Sequence, residues 1–418
     1  MSGAGGGPAG ARAPGARRYA GSVFWMGMAE AAARAGNVFL QLLLVRALAP
    51  ARYGVFAYAY SLFLVVIALT SLGITEAFVR EGARARDRIG SVLSGFFALR
   101  ALSGGVAAAI IAVVAATSGA DGPVILAVGL FLLFRSMTAF LATTFRAREV
   151  IWKEFVVRLA EVLALVAVAS VALALRWSLP TVVWSLAAAG AACLAAAIAA
   201  FRALMPGFSW SVPPGALRRI AAAAPYGLPA VAGGWLLRID IAFFQQLGRD
   251  PEKTAFFAAA VTLVLAAGLV PAIASAALYP SLARGGERAD ALVGRMLLLF
   301  GLAGAGLAAV LRAAPVFLVR AAYGPRYLPS APWVSALAPF LLFLCPAIFA
   351  ATVLAARGRA ALLCVLLLVP LAVQAIADFF LFPRRAAAVV PVSIGLQAAV
   401  LVAGVIFVWL SRSRSYRS

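Results

Sequence analysis

The chain has 418 residues, 65% of them hydrophobic and only 12% charged, with a mean hydropathy of +1.02. No water-soluble domain of this length has that balance, so the class is a polytopic membrane protein. The net charge of +22 would point to nucleic acid in a soluble chain, but here it follows membrane topology, and nucleic acid is excluded as a partner.

Histidine is absent, which removes the commonest catalytic base and metal ligand. Cys193, Cys345 and Cys364 all fall in apolar segments without metal-ligand spacing, so neither a metal nor a cofactor is expected. Residues 1–18 are rich in Gly, Ala and Pro and read as a disordered cytoplasmic N-terminus. A full-length span follows with no small-residue cleavage site, so the first span reads as retained.

Apolar runs long enough to cross a bilayer recur at about 20–46, 53–78, 91–117, 123–145, 152–175, 178–201, 220–247, 254–282, 291–318, 328–355, 360–382 and 386–410. The predicted fold is therefore all-α, with about twelve transmembrane helices. Residues 19–202 form one six-helix bundle and 220–410 a second, joined by a cytoplasmic linker at 203–219 and ending in a cytoplasmic tail at 411–418. Basic residues favour the side of the N-terminus by roughly two to one, which puts both termini in the cytoplasm. External loops are all short, so no extracytoplasmic catalytic domain is expected.

The first span is interrupted by Glu30, Arg34, Asn37 and Gln41, whose spacing of 4, 3 and 4 places them on one helical stripe. Glu30 and Arg34 straddle mid-membrane, where a charged side chain costs about 2.5–3.5 kcal/mol on insertion scales. The stripe must face protein or a water-filled cavity. Other mid-span polar residues are Arg135 in the fourth span, Arg238 and Asp240 in the seventh, and Gln374 with Asp378 at i+4 in the eleventh. Asp240 lies about 200° around the helix from Arg238, so the two should not share a face.

The halves resemble one another. Phe56, Ala59, Leu69, Ala77 and Arg84 line up with Phe256, Ala259, Leu269, Ala277 and Arg284 at a constant offset of 200, which pairs the first span with the seventh. Six spans per half give a parallel repeat, a transporter architecture with its site at the repeat interface.

Several motifs carry a family resemblance: Arg46-Ala-Leu-Ala-Pro50-Ala-Arg-Tyr53-Gly54-Val-Phe56, Leu72-Gly73-Ile-Thr-Glu76-Ala-Phe78-Val-Arg80-Glu81, Gly227-Leu-Pro229 through Arg238-Ile-Asp240, Ala276-Ala-Leu-Tyr279-Pro280-Ser-Leu-Ala-Arg284, and Tyr323-Gly-Pro-Arg-Tyr327. With these the chain resembles the polysaccharide-repeat (Wzx-type) flippases of the multidrug/oligosaccharidyl-lipid/polysaccharide exporter superfamily. The resemblance implies two pseudo-symmetric bundles in a MATE-like V around a cationic cavity, in the inner (cytoplasmic) membrane. It also implies a cargo of polyprenyl-pyrophosphate-linked glycan, drawn from and returned to membrane lipids, with a polysaccharide polymerase and export machinery as further partners.

On that reading Arg34 holds the pyrophosphate, because a guanidinium stays charged in an apolar cavity and binds phosphate bidentately; alternatively it pairs with Glu30 and ties helices together. Arg238, Arg135, Asn37, Gln41 and Trp235 are the other cavity candidates, Trp235 by stacking on a sugar. Glu30, Asp240 and Asp378 are candidates for a coupling ion, while Arg100 and an Arg158/Glu161 pair read as snorkelling or interhelical groups. A cation-coupled drug exporter shares the architecture but is expected to line its cavity with acids and aromatics. A membrane glycosyltransferase or polymerase would need acids on a substantial external loop, so an enzyme is not expected.

Overall fold

The computed structural model describes residues 16–71, 74–75, 78, 89–147, 150–204, 215, 218, 236–283, 287–385 and 388–415. Among them there is no strand; every extended element is a helix. The first half contains α1 (Ala16–Ala47), α2 (Pro50–Ser71), α3 (Ile89–Thr117), α4 (Gly122–Ala147), α5 (Ile151–Leu175) and α6 (Leu179–Leu204). The second contains α7 (Leu236–Gly248), α8 (Pro251–Ala267), α9 (Leu269–Ala283), α10 (Glu287–Ala313), α11 (Pro315–Tyr323), α12 (Ala331–Leu337), α13 (Phe340–Ala356), α14 (Ala360–Arg385) and α15 (Val389–Ser415).

Nine of the described helices are long and apolar enough to cross a membrane. Two further spans are bent pairs, α8 with α9 at 40°, and the segment Pro325–Leu337 with α13 at 61°. Their breaks fall at Gly268 and at Ala338–Pro339, where a residue without a Cβ and one without an N–H relax the helical ladder. α7, with 13 residues, covers the described part of the seventh predicted span, so the described residues hold nine to eleven spans against the twelve predicted, and the start of the seventh lies outside them. The α1 span is among the least apolar, with a mean hydropathy of 1.2 against 2.3 for α5. That deficit comes from the polar stripe.

Apolar side chains gather into three clusters, and their positions set the shape. One cluster joins the two halves through Leu40, Tyr53, Phe56 and Phe63 on the first side and Phe257, Tyr323, Tyr327 and Phe340 on the second. These residues lie toward the end of the molecule that carries the α1–α2 and α7–α8 turns, called here the far end. The other two clusters lie toward the chain termini, and each is confined to one half: Phe78, Phe96, Phe140 and Phe201 in the first, Val293, Phe300, Phe349 and Leu354 in the second. Shared packing at one end and separate packing at the other make a V that opens toward the termini.

The two repeat-related helices α2 and α8 pack against each other at the closed end. Their approach requires Gly54: a Cβ there would lie 1.8 Å from the Pro251 carbonyl oxygen. Arg46, at the end of α1, donates to the carbonyls of Ala321 and Ala322 in the last turn of α11, where the helix dipole favours a cation. Tyr327 donates to the Leu48 carbonyl at 3.2 Å and meets Tyr53 edge-on with ring centroids 6.1 Å apart. Tyr58 donates to Gln246 Oε1 at 3.0 Å, a further bond between α2 and α7.

Candidate functional site

The α1 stripe runs from the open part of the V into its closed apex. Gln41 is buried, 3% exposed, among groups of both halves. Its Nε2 donates to Tyr60 Oη at 3.5 Å, and its Oε1 accepts from Arg238 Nη2 at 3.4 Å and Thr262 Oγ1 at 3.3 Å. The Arg238 guanidinium also lies over the Tyr60 ring, 5.3 Å from its centroid. One turn back along α1, Asn37 Oδ1 accepts from Tyr60 Oη at 2.8 Å and from Arg135 Nη1 at 2.9 Å. Arg135 Nε in turn donates to Glu161 at 3.2 Å, so α1, α2, α4 and α5 share one polar network.

Arg34 and Glu30 sit farther down the same stripe. They form an i,i+4 ion pair of 2.7 Å, and their side chains remain 46% and 35% exposed. Arg34 is the more accessible member of the stripe's charges, whereas Arg135 is enclosed by Glu161, Asn37 and the Phe131 ring. The sequence pairing of Arg158 with Glu161 is not observed. Arg158 bonds Glu154 at 3.1 Å, because the i,i+4 spacing brings those two together, and Glu161 turns to Arg135. Arg100 does not snorkel: it is buried and donates to Ser71 Oγ at 2.5 Å and to Ser136 Oγ.

A second polar centre lies within the second half. Asp240, Gln374, Asp378 and Ser393 are all buried and come from α7, α14 and α15. Gln374 Nε2 lies 2.9 Å from Asp240 Oδ1, Asp378 Oδ1 and Ser393 Oγ alike, although an amide group has only two protons to donate. Ser393 Oγ lies 2.8 Å from Asp240 Oδ2 and 3.1 Å from the Val389 carbonyl, with one proton for both. Asp378 Oδ2 and Gln374 Oε1 receive no hydrogen bond. The cluster therefore has more acceptor oxygens than protons. Among the described residues no basic side chain pairs with it. One added proton or a small cation would satisfy oxygens that are otherwise left bare.

The structure thus brings Gln41, Asn37, Arg135 and Arg238 into one region, leaves Arg34 and Glu30 partly exposed and paired with each other, and sets Asp240 with Asp378 apart from both. Arg238 and Asp240 face different partners, as their angular separation requires. Trp235 lies outside the described residues. Tyr60, Thr262, Gln374 and Ser393 complete these centres; of them only Gln374 had a sequence signal, its i,i+4 relation to Asp378. The others are ordinary polar residues in apolar helices.

Solved structures share this architecture. A multidrug resistance MATE family transporter of the MOP superfamily, in an outward-facing conformation, aligns with a TM-score of 0.66 at 13% identity over 96% of each chain. A MOP superfamily transporter from Pyrococcus furiosus aligns at 0.63, with 12% identity over 95% of each chain. The eukaryotic MATE transporter AtDTX14 aligns at 0.61, with 16% identity over 93% of this chain and 96% of that one. At such identities the likeness speaks for the fold alone, the all-helical multi-pass fold of the MATE structures. No curated protein sequence matches the chain significantly. The profile described as "Polysaccharide biosynthesis protein" matches residues 22–285, more than half the length, and the chain belongs to that family.

Proposed function

We propose that this protein is a flippase that moves undecaprenyl-pyrophosphate-linked oligosaccharide repeat units from the cytoplasmic to the outer leaflet by alternating access. The observation that carries the proposal is Arg34, a guanidinium in the first span whose side chain stays 46% exposed beside Glu30. A lone helix would not keep that charge there without a use for it. In a polysaccharide biosynthesis family the fitting ligand is the pyrophosphate of a lipid-linked glycan, with the polyprenyl tail left in the bilayer.

The membrane is the cytoplasmic (inner) one, with both termini cytoplasmic and the far end facing outward, as the basic-residue bias supports. In this conformation the cavity then faces the cytoplasm. The moving units are residues 19–202 and 220–410, which part at the far end when the headgroup leaves. Asp240 and Asp378, with Gln374 and Ser393, hold the coupling proton or cation; their surplus of acceptor oxygens supports that role. Glu30 holds Arg34 in position. On this reading the protein acts as a transporter.

The test is complementation in a cell that depends on the polymer. Arg34→Ala is expected to abolish polymer output at normal expression, and Arg34→Lys to retain part of it. Normal output from well-expressed Arg34→Ala would overturn the role.

A further inference from the structure

Gln41 occupies the place of an anion. Arg238 Nη2 on α7 donates to the Gln41 side-chain oxygen of α1, and Thr262 Oγ1 on α8 lies beside the same oxygen while its single proton is shared with the Ala258 carbonyl at 2.9 Å. Their distances of 3.4 and 3.3 Å are at the long limit for such bonds. A charged oxygen would draw the same donors to about 2.7–2.9 Å. No carboxylate pairs with Arg238 among the described residues. The adjoining cavity, about 10 Å³, has room for one water at most. Ser61 Oγ lines it, buried and without a hydrogen-bond partner. As the molecule stands, no phosphate can enter.

Gln41, Tyr60 and Ser61 all ride on α1 and α2. When the halves part at the far end, these groups leave with the first half; the Arg238 guanidinium is left aimed at the opened space, and the Thr262 hydroxyl, bonded at 2.9 Å to the Ala258 carbonyl, can rotate to join it. We propose that Arg238 and Thr262 form an oxyanion subsite, available only when the far end is open, and that Gln41 is a built-in competitor that empties it on closure. The ligand class is a pyrophosphate, free or as a lipid headgroup. Assigning it to the headgroup rests on the transport reading above.

Arg34 lies seven residues from Gln41, about 10 Å along α1. The anion therefore has two stations at different depths, one open in each state. Re-entry of the Gln41 carbonyl displaces the anion before the cavity faces the cytoplasm again, while the direction of the cycle comes from the coupling ion or the membrane potential.

The experiment uses the full chain with Cys193, Cys345 and Cys364 replaced. Tyr58→Cys with Gln246→Cys, bridged by a short bis-thiosulfonate, holds the far end closed. Gly54→Val, or Gly54→Ala where the valine variant folds poorly, holds it open. Binding of inorganic pyrophosphate and of farnesyl pyrophosphate is measured by calorimetry in each background. In the open protein, Arg238→Ala is expected to weaken pyrophosphate binding about tenfold or more; in the bridged protein it should change nothing. Gln41→Ala should strengthen binding in the unbridged, otherwise unaltered protein. An unchanged affinity on Arg238→Ala in the open protein, or an equal loss in both states, overturns the subsite. Tighter binding of farnesyl than of inorganic pyrophosphate supports the lipid headgroup. Equal binding leaves the subsite standing and overturns its use in lipid transport.

Discussion

Arg34 and Arg135 carry the same charge into the same membrane and do different work. Arg135 is tied to Glu161 and Asn37 inside the first half, so removing Glu161 strands a buried guanidinium. Glu161→Ala should cost about 3–5 kcal/mol. Arg34 is half exposed, and its pair with Glu30 is worth about 1 kcal/mol or less. Thermal unfolding in detergent should therefore show a clear fall in midpoint for Glu161→Ala and almost none for Arg34→Ala, while polymer output ranks Arg34→Ala as severe. At this scale the sequence was half legible. The 4, 3, 4 spacing placed Glu30, Arg34, Asn37 and Gln41 on one face, because helical periodicity is local. It carried no trace of Tyr60 or Thr262, which meet that face only through packing of distant segments.

Helices were more legible than their breaks. Hydropathy found the spans, yet it treated 254–282 and 328–355 as single rods, whereas Gly268 and Pro339 bend them. The α7–α8 turn shows local chemistry acting on an element. Asp250 caps α8, accepting from the backbone N–H of Glu252 and of Lys253 at 3.1 Å each, with the Lys253 ammonium 3.1 Å away. These donors, the Lys253 N–H first, hold its carboxyl below the usual carboxylate range. A depressed folded-state pKa means that the stabilisation is complete above the unfolded value of 3.8 and fades as pH falls through the folded one. Asp250→Ala should cost about 0.5–2 kcal/mol at neutral pH. Thermal midpoints followed from pH 7 down past pH 4 should converge, as the native chain loses what the variant never had.

The whole molecule is a pair of repeats pinned at one end. The repeat offset of 200 anticipated that α2 and α8 are equivalents; that they are also neighbours, with Gly54 against Pro251, came only from the fold. Under the proposed function the cargo carries two negative charges out of a negative-inside cell, worth roughly 5 kcal/mol at 100 mV. Collapsing the potential with valinomycin and potassium in vesicles should slow headgroup transfer. An unchanged rate would shift the whole drive to the Asp240–Asp378 centre.

α7 reaches into both centres. Arg238 and Asp240 stand two residues apart on it, one bonded across to Gln41 and the other sunk among Gln374 and Ser393. The two side chains project like opposed pins on a crankshaft. Any roll of that helix that frees one pin must load the other, so what binds in the carboxylate pocket and what binds at the apex exchange torque through a single turn of backbone.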